Sequence, residues 1–581
     1  MKELVRKHMK GFEALLCASC GLALAACFYV FEILPWLAWF LPAPVFFLLF
    51  REGMGVRRAL GLSCAFVFPF LFASYCVGFT IDVGFSPAVM FLIDLALVAV
   101  VSLVQGIPLV AALLLGAKLP FPRPLRAALV ALMWTAGEWL TTAGVFAFPV
   151  RNLAVSQWGA ENVVRLSSLF GTLFVSFLMI LVAALIAQGV QRNINRAQPF
   201  KPDATNPELA KAALGFPIAP QSELSFRERW RPKNQNQYLW SAYILFVFVL
   251  FGGSSLLTTA YPDRFVEVAA VQHNVPIDAS SAERFDESVR LAKIALSKEP
   301  GGDILIFPES TAQYLDQNDY MRNELEKLAK GCGVDIIVGG VFLQSEPQGA
   351  EPAGNGPAAD GRKSSQDLRN LGTGKEAGEI LENAVFYVSE TGGLSKRHYA
   401  KQLLVPFFEN GNIRPFTFIP GHDRLVFETA GARAGVLVCL ESIISESVRE
   451  TANRGAEIIV VVSNDAYLKS PFIKWMHFSQ DVFRAAECGR AVIQASTNGV
   501  TGVTDPNGHI LNSYVGGSAV EVLLPIETAG VLEADVPIYS HTTLFSRIGY
   551  AWIAILAAIL FIIFLAEQMR MRRKICKGGA F

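Results

Sequence analysis

Charge is scarce in this chain. Of 581 residues, Lys and Arg contribute 50 and Asp and Glu another 50. Together they make 17%, against about 25% in ordinary soluble proteins. The net charge is zero, so no basic field points to nucleic acid as a partner. Histidine is rare, at seven. His273, His477 and His509 are far apart in the sequence, and no Cys/His cluster has zinc spacing, so neither a metal nor a cofactor is expected. Cysteines number nine, and Cys17, Cys20, Cys27, Cys64 and Cys76 all fall in apolar runs. No repeat of solenoid period occurs. What the chain has in plenty is apolar: 52% hydrophobic residues, with 43 Phe. That excludes a disordered chain and argues against a wholly soluble one.

The charge that exists is unevenly spread. Between Gly11 and Phe50 only Glu13 and Glu32 are charged, whereas Arg264 to Thr528 reads like a soluble domain. A helix crosses the hydrocarbon with about 20 apolar residues. Eight spans are expected, near 11–31, 33–50, 59–80, 84–116, 124–147, 163–188, 238–257 and 548–566. The first run lacks a small-residue cleavage site and leads directly into further spans, so it reads as a retained span.

Basic residues set the orientation. Lys2, Arg6, Lys7 and Lys10 precede the first span. Arg51, Arg57 and Arg58 follow the second, and Lys118, Arg123 and Arg126 the fourth. A basic stretch from Arg192 to Lys233 follows the sixth, and Arg570, Arg572, Arg573 and Lys574 follow the last. With eight spans all of these lie on one side, the cytoplasmic one. The expected organisation is a membrane domain at 1–258 with a cytoplasmic connector at 191–237, an extracytoplasmic domain at 259–547, and a final span with a basic tail at 548–581. The segment 346–376 is rich in Gly, Pro, Ala, Ser and charge, and is expected to be a disordered insert. Cys332, Cys439 and Cys488 lie in the outer domain, and an odd number leaves at least one free thiol.

That outer domain alternates β-rich runs (266–271, 303–307, 334–342, 384–388, 434–438, 457–462, 491–495, 499–504) with helical patterns (282–297, 319–331, 442–453, 471–488). The alternation predicts an α/β domain. Chemistry in such sheets gathers past strand ends. Phe307-Pro308-Glu309 ends one strand with a carboxylate. Val438-Cys439-Leu440-Glu441 ends another with a thiol and a second carboxylate. Tyr399-Ala400-Lys401 and Pro406-Phe407-Phe408-Glu409 lie between them, and Ser463-Asn464-Asp465 follows a third strand. Singly, each has an ordinary explanation: a buried core Cys, a helix-end Glu, a solvated Lys, an Asn-Asp turn.

Together, in this order, they resemble the carbon–nitrogen hydrolase (nitrilase) superfamily. With the apolar spans around them, they are similar to its membrane-embedded branch, the apolipoprotein N-acyltransferase family. Further matches are Gln272-His273-Asn274-Val275-Pro276, Ala485-Ala486-Glu487-Cys488-Gly489-Arg490, Thr497-Asn498-Gly499 and, in the membrane part, Trp134, Glu138 and Phe148-Pro149. Leu440 departs from the Tyr that often follows the family's nucleophile.

The resemblance implies an α–β–β–α sandwich and a Glu–Lys–Cys triad: Glu309 as general base, Lys401 stabilising the oxyanion with the backbone N–H of Leu440, and Cys439 as nucleophile. Glu409 and Glu441 are supporting carboxylates. It implies a phospholipid as acyl donor, a diacylglyceryl apolipoprotein as acceptor, a thioester intermediate, and a monomer in the bacterial inner membrane. The chemistry is apt, because a thiol of ordinary pKa about 8.5 needs a base and a cation nearby to take an acyl group at neutral pH. The loop 406–421, with Phe407, Phe408, Phe416 and Phe418, reads either as a membrane-dipping lid or as core. Glu138 and Asp94, inside spans, read as structural hydrogen-bonding acids. The competing functions are a membrane-anchored amidase acting on a small amide, and a transporter or receptor with a ligand-binding outer domain.

Overall fold

The computed structural model describes residues 2–29, 35–51, 54–75, 87–118, 123–142, 152–197, 237–249, 261–298, 302–344, 380–405, 409, 417–515, 518–521 and 523–578. The insert at 346–376, the connector at 198–236 and most of the loop 406–421 lie outside them.

The N-terminal part is helical: α1 (Lys2–Tyr29), α2 (Pro42–Leu49), α3 (Val56–Tyr75), α4 (Pro87–Lys118), α5 (Arg123–Leu140), α6 (Thr172–Ala197) and α7 (Gln237–Val247). Among the described residues, four helices are long and apolar enough to cross a membrane, over Met9–Phe28, Val56–Ala73, Phe91–Ala111 and Thr172–Ile194. Pro35–Leu49 and Ala551–Ala566 are apolar but shorter.

The expected span at 33–50 is not one helix. It is a 3₁₀ turn, Pro35–Trp39, followed by the eight-residue α2, where Pro42, with no N–H to donate and φ already helical, suits the first position of a helix. Eight residues rise only about 12 Å, well under the hydrocarbon thickness. The expected span at 163–188 also starts late. Gly171, at φ 81°, separates a short helix, Ser167–Phe170, from α6. An added Cβ there would collide with the Phe545 and Tyr550 rings. The helices α5 and α7 overlap the expected spans at 124–147 and 238–257, of which 143–147 and 250–257 lie outside the described residues.

Polar groups in this part are satisfied locally. Glu138 accepts from Trp134 Nε1 (3.0 Å) and the Leu153 N–H (2.8 Å). Gln157 links Trp39 Nε1 (3.0 Å) to the Pro35 carbonyl (2.7 Å). Glu138 thus has the structural role read for it. The side chain of Asp94 lies outside the described residues.

The second part is a four-layer sandwich. One sheet contains β1 (Arg264–Gln272), β2 (Ile304–Gln313), β3 (Asp335–Gln344), β4 (Ile380–Val388), β5 (Tyr399–Ala400), β6 (Thr417–Phe418) and β15 (Gly530–Ile538). The other contains β7 (Val426–Glu428), β8 (Arg433–Val438), β9 (Ile458–Ser463), β10 (Ala491–Ser496), β11 (Thr501–Thr504) and β14 (Leu523–Leu524). The strands β12 (Asn512–Val515) and β13 (Ser518–Glu521) pair separately.

The sheets meet through Val266, Ile304, Ile306, Val436, Val438, Val460 and Ile493. Helices α8 (Ser281–Lys298) and α9 (Asp319–Cys332) cover the first sheet. Helices α10 (Ser445–Asn453) and α11 (Pro471–Cys488) cover the second. β8, β9 and β10 run parallel, and their continuous apolar character is what burial on both faces demands. The helices end as their sequences direct. Asn318 caps α9, and Gly333 and Gly489 take left-handed conformations after α9 and α11.

The last helix, α12 (Ala551–Gly578), returns to the helical part. The two parts share one apolar core. Leu440, Ile443, Ile473, Met476 and Phe483 of the sandwich pack with residues of α1–α6, and the Trp158 and Trp475 rings stack at 6.1 Å.

Candidate active site

Four strand ends converge at one edge of the sandwich. β2 carries Glu309 through an irregular stretch, where its pairing with β3 shifts register between Phe307 and Ala312. The sequence reading ended this strand at Phe307. The strand instead continues to Gln313, with Ser310 at φ 62°. Glu309 is buried. It accepts from Asn383 Nδ2 (2.7 Å) and from the Asn464 N–H (2.6 Å). Burial pushes its carboxyl above the usual range, with Lys401 pulling the other way.

Lys401 follows β5 and is only 1% exposed. Its Nζ lies 3.0 and 2.9 Å from the two Glu409 oxygens. Burial works against its charge, but Glu409, Glu309 and Cys439 together hold the ammonium charged well above its ordinary range. Glu409 also accepts from Asn383 Nδ2 (3.0 Å) and the Val405 N–H (2.7 Å). Asn383 on β4 therefore ties the two carboxylates together.

Cys439 is the first residue after β8, at φ 48°. A non-glycine residue held there costs on the order of 1–3 kcal/mol and persists where the surroundings impose it. The thiol is half-buried. Burial and Glu309 push its pKa well up, while Lys401 and a hydrogen bond from Ser463 oppose them. The resting site thus holds a protonated thiol beside a carboxylate whose basicity is raised.

Glu441, two residues on, is fully buried. It accepts from Tyr399 OH (2.8 Å), the Gln402 N–H (2.9 Å), the Val438 N–H (2.9 Å) and Arg424 (2.9 Å). It binds the Lys401 segment to the Cys439 turn. Glu309, Lys401, Glu409, Cys439 and Glu441 thus form one connected set. Leu440 is buried within the apolar core shared with the helical part.

Residues 267–537 match the carbon–nitrogen hydrolase family, and residues 20–185 match the apolipoprotein N-acyltransferase N-terminal domain. The chain belongs to the apolipoprotein N-acyltransferase family. It is an enzyme of the nitrilase superfamily. Apolipoprotein N-acyltransferase 1 of Treponema pallidum is 26% identical over 443 residues, covering 71% of each chain. Apolipoprotein N-acyltransferase of Thermotoga maritima is 22% identical over 547 residues, covering 91% of this chain and 88% of its own. Among solved structures, an amidase from Nesterenkonia sp. aligns over 48% of this chain and 93% of its own, at 18% identity and TM-score 0.33.

Within this family member, sequence reasoning missed several residues at the site. Asn383 and Arg424 have no motif around them that would mark them. His477 stands far from the other histidines in the sequence, yet the fold brings it against Cys439. Cys439 Sγ, an Asp465 oxygen and a His477 nitrogen lie within 4.8 Å of one another. Asp465, read as part of a turn, is buried and accepts from Ser463 Oγ (2.9 Å) and Ser496 Oγ (2.8 Å). Cys332 and Cys488 are both free thiols in separate apolar clusters.

Proposed function

We propose that this chain transfers a fatty acyl group from a phospholipid, through a thioester on Cys439, to the terminal amine of an S-diacylglyceryl-cysteine apolipoprotein. The observation that carries the reading is the place of the nucleophile turn. Leu440, Ile443, Leu403 and Val405, on either side of Cys439 and Lys401, pack into the same apolar core as the helical part. A lipid ester reaches such a turn from the membrane, whereas a small water-borne amide gains nothing from it.

Glu309 takes the Cys439 proton as Sγ attacks the ester carbonyl. Lys401 and the Leu440 N–H stabilise the oxyanion. The tetrahedral intermediate collapses, the C–O bond breaks, and the lysophospholipid oxygen leaves with the proton from Glu309. The acceptor amine then attacks the thioester and gives a proton to Glu309. The C–S bond breaks, and Sγ recovers that proton. Glu409 holds Lys401, and Glu441 holds the turn. The organisation that suits these substrates is a multi-pass helical part in the bacterial inner membrane, with the sandwich on the outer side.

Purified protein given phospholipid without acceptor should gain one fatty-acyl mass on the Cys439 peptide. A diacylglyceryl-cysteine peptide should remove it and become N-acylated. Glu309→Gln should slow thioester formation by about 10²–10⁴-fold, and Lys401→Ala by about 10²–10³-fold. Because Glu309 must be ionised and burial raises its pKa, the rate should fall, as pH is lowered, at a pH above the ordinary carboxylate range. Acyl mass on Cys332 or Cys488, or transfer by Cys439→Ala, would refute the assignment. Release of free fatty acid to water as readily as to the amine would favour a hydrolase instead.

A further inference from the structure

The proposed reaction leaves a buried ionic pair behind the nucleophile without a role. His477 sits on α11. Its Nδ1 lies 2.9 Å from Asp465 Oδ1 and 3.5 Å from Ser463 Oγ. Its Nε2 lies 3.3 Å from the Cys439 carbonyl oxygen and 3.3 Å from Ser442 Oγ. Asp465 is ringed by donors: Ser463 and His477 at Oδ1, and Ser496 at Oδ2. Gly499 packs so closely against Asp465 that a Cβ there would collide with Oδ2. Burial would raise the Asp465 carboxyl, but His477 and the serines hold it below the ordinary range.

An ionised carboxylate and a carbonyl can only accept. A ring that serves both the Asp465 carboxylate and the Cys439 carbonyl donates from both nitrogens, with Ser442 Oγ beside Nε2 as a second acceptor, and an imidazole with two donors is an imidazolium. Burial opposes that charge. Asp465 and, from the next turn of the same helix, Asp481 outweigh it, and the ring's pKa is pushed up to about 9. Cys439, Asp465 and His477 have a spacing that could hold a cation, but here the two ring nitrogens already carry protons.

We propose that His477 is a positioning residue for the nucleophile: an imidazolium, fixed by Asp465, that grips the Cys439 carbonyl and places a permanent positive charge beside Sγ. The inference rests on Cys439 being the nucleophile. It supplies what that residue lacks. Cys439 has a left-handed backbone that its own side chain disfavours, and a charge-assisted hydrogen bond to its carbonyl secures that conformation. The thiol is pushed up by burial and by Glu309. Asp465 also faces the sulfur and raises the thiol; the imidazolium offsets that carboxylate and stabilises the charge that grows on sulfur as the proton leaves. Neither effect requires His477 to touch substrate.

The test uses the full chain in detergent and reads iodoacetamide alkylation of the Cys439 peptide by mass spectrometry across pH 5.5 to 10. His477→Gln keeps a donor but loses the charge. It should slow alkylation at neutral pH by about tenfold, and should move the midpoint of the pH–rate curve up by about one unit. Thioester formation should slow in kcat with little change in KM for phospholipid. His477→Lys, which restores the cation, should bring the midpoint back toward the wild-type value. A folded His477→Gln whose midpoint matches wild type would overturn the proposal.

Should that variant not fold, ring-¹⁵N spectra of the chain carrying His509→Gln decide. His509 is the other histidine raised by acidic neighbours. One ring must remain doubly protonated at pH 8, and its absence sinks the inference. The two readings fail separately. A shifted alkylation profile with no acyl-enzyme would end the acyl-transfer reading alone, and an acyl-enzyme with an unshifted profile would end this one.

Discussion

Gly339 fixes where Glu309 stands. It lies on β3 beside the irregular stretch of β2, and an added Cβ would sit 2.6 Å from Glu309 Cα and 2.7 Å from the Pro308 carbonyl oxygen. Both neighbours are backbone, so neither can swing aside, and β2 itself must move. Gly339→Ala therefore acts on the base without removing it. A displacement approaching an ångström, enough to restore ordinary contact, would lengthen the 2.6 Å bond from the Asn464 N–H and the 2.7 Å bond from Asn383. Misplacement on an ångström scale costs about 10²-fold in rate. Thioester formation should fall by about that factor in Gly339→Ala, with the chain still folded and Cys439 still open to alkylation. Wild-type acylation in this variant would mean that the strand has slack the packing does not reveal. Glu309, Lys401 and Cys439, which the fold brings to one site, were legible in the sequence because each sits in a short, recognisable context. Asn383, which ties Glu309 to Glu409, was not, since a lone Asn in a β-rich run carries no signal until β4 is placed beside β2 and β5.

At the scale of elements, Glu441 joins the Lys401 segment to the Cys439 turn. Backbone N–H groups from Gln402 and Val438, the Tyr399 hydroxyl and the Arg424 guanidinium all point into one carboxylate. Glu441→Gln puts an amide N–H against a donor and strips Arg424 of its buried counter-charge. Breaking a buried pair in this way costs about 3–5 kcal/mol. The variant should unfold at a distinctly lower temperature and form the thioester more slowly. Unchanged heat resistance would show that the brace is not needed.

The same elements show where sequence reading reached. The parallel strands β8, β9 and β10 are continuous apolar runs and were read nearly to the residue. β15 was missed, although it pairs with β1 over nine positions. It is an edge strand of mixed polarity that carries Glu533, Asp535 and Pro537, and edges tolerate what central strands cannot. The helical α2 was overestimated for the opposite reason. Hydropathy registers the apolar run and reads through Pro35 and Pro42, which divide it in the backbone.

Across the whole molecule, the sandwich and the helical part are joined by more than a linker. Glu487 of α11 accepts from the Thr172 N–H (2.5 Å) and hydroxyl (2.6 Å) at the start of α6. Arg484 reaches Thr172 Oγ1 (2.5 Å) and the Ile443 carbonyl (3.1 Å). Trp552 Nε1 of α12 donates to the Phe170 carbonyl (2.8 Å). These bonds fix the start of α6 against the sandwich, and the end of α6 lies a full span away. If Thr172–Ile194 crosses the membrane, its Thr172 end shares a side with the sandwich, and its other end, leading through Arg192 and Arg196 to the basic connector, lies on the opposite side. The rule that basic loops stay in the cytoplasm then puts the sandwich outside. A reporter that works only outside the cytoplasm, inserted after Ser297 in the last turn of α8, should be active, and one placed after Lys574 should not. Activity of a cytoplasm-only reporter after Ser297 would reverse the orientation, and with it the proposal that acyl transfer takes place in the outer leaflet.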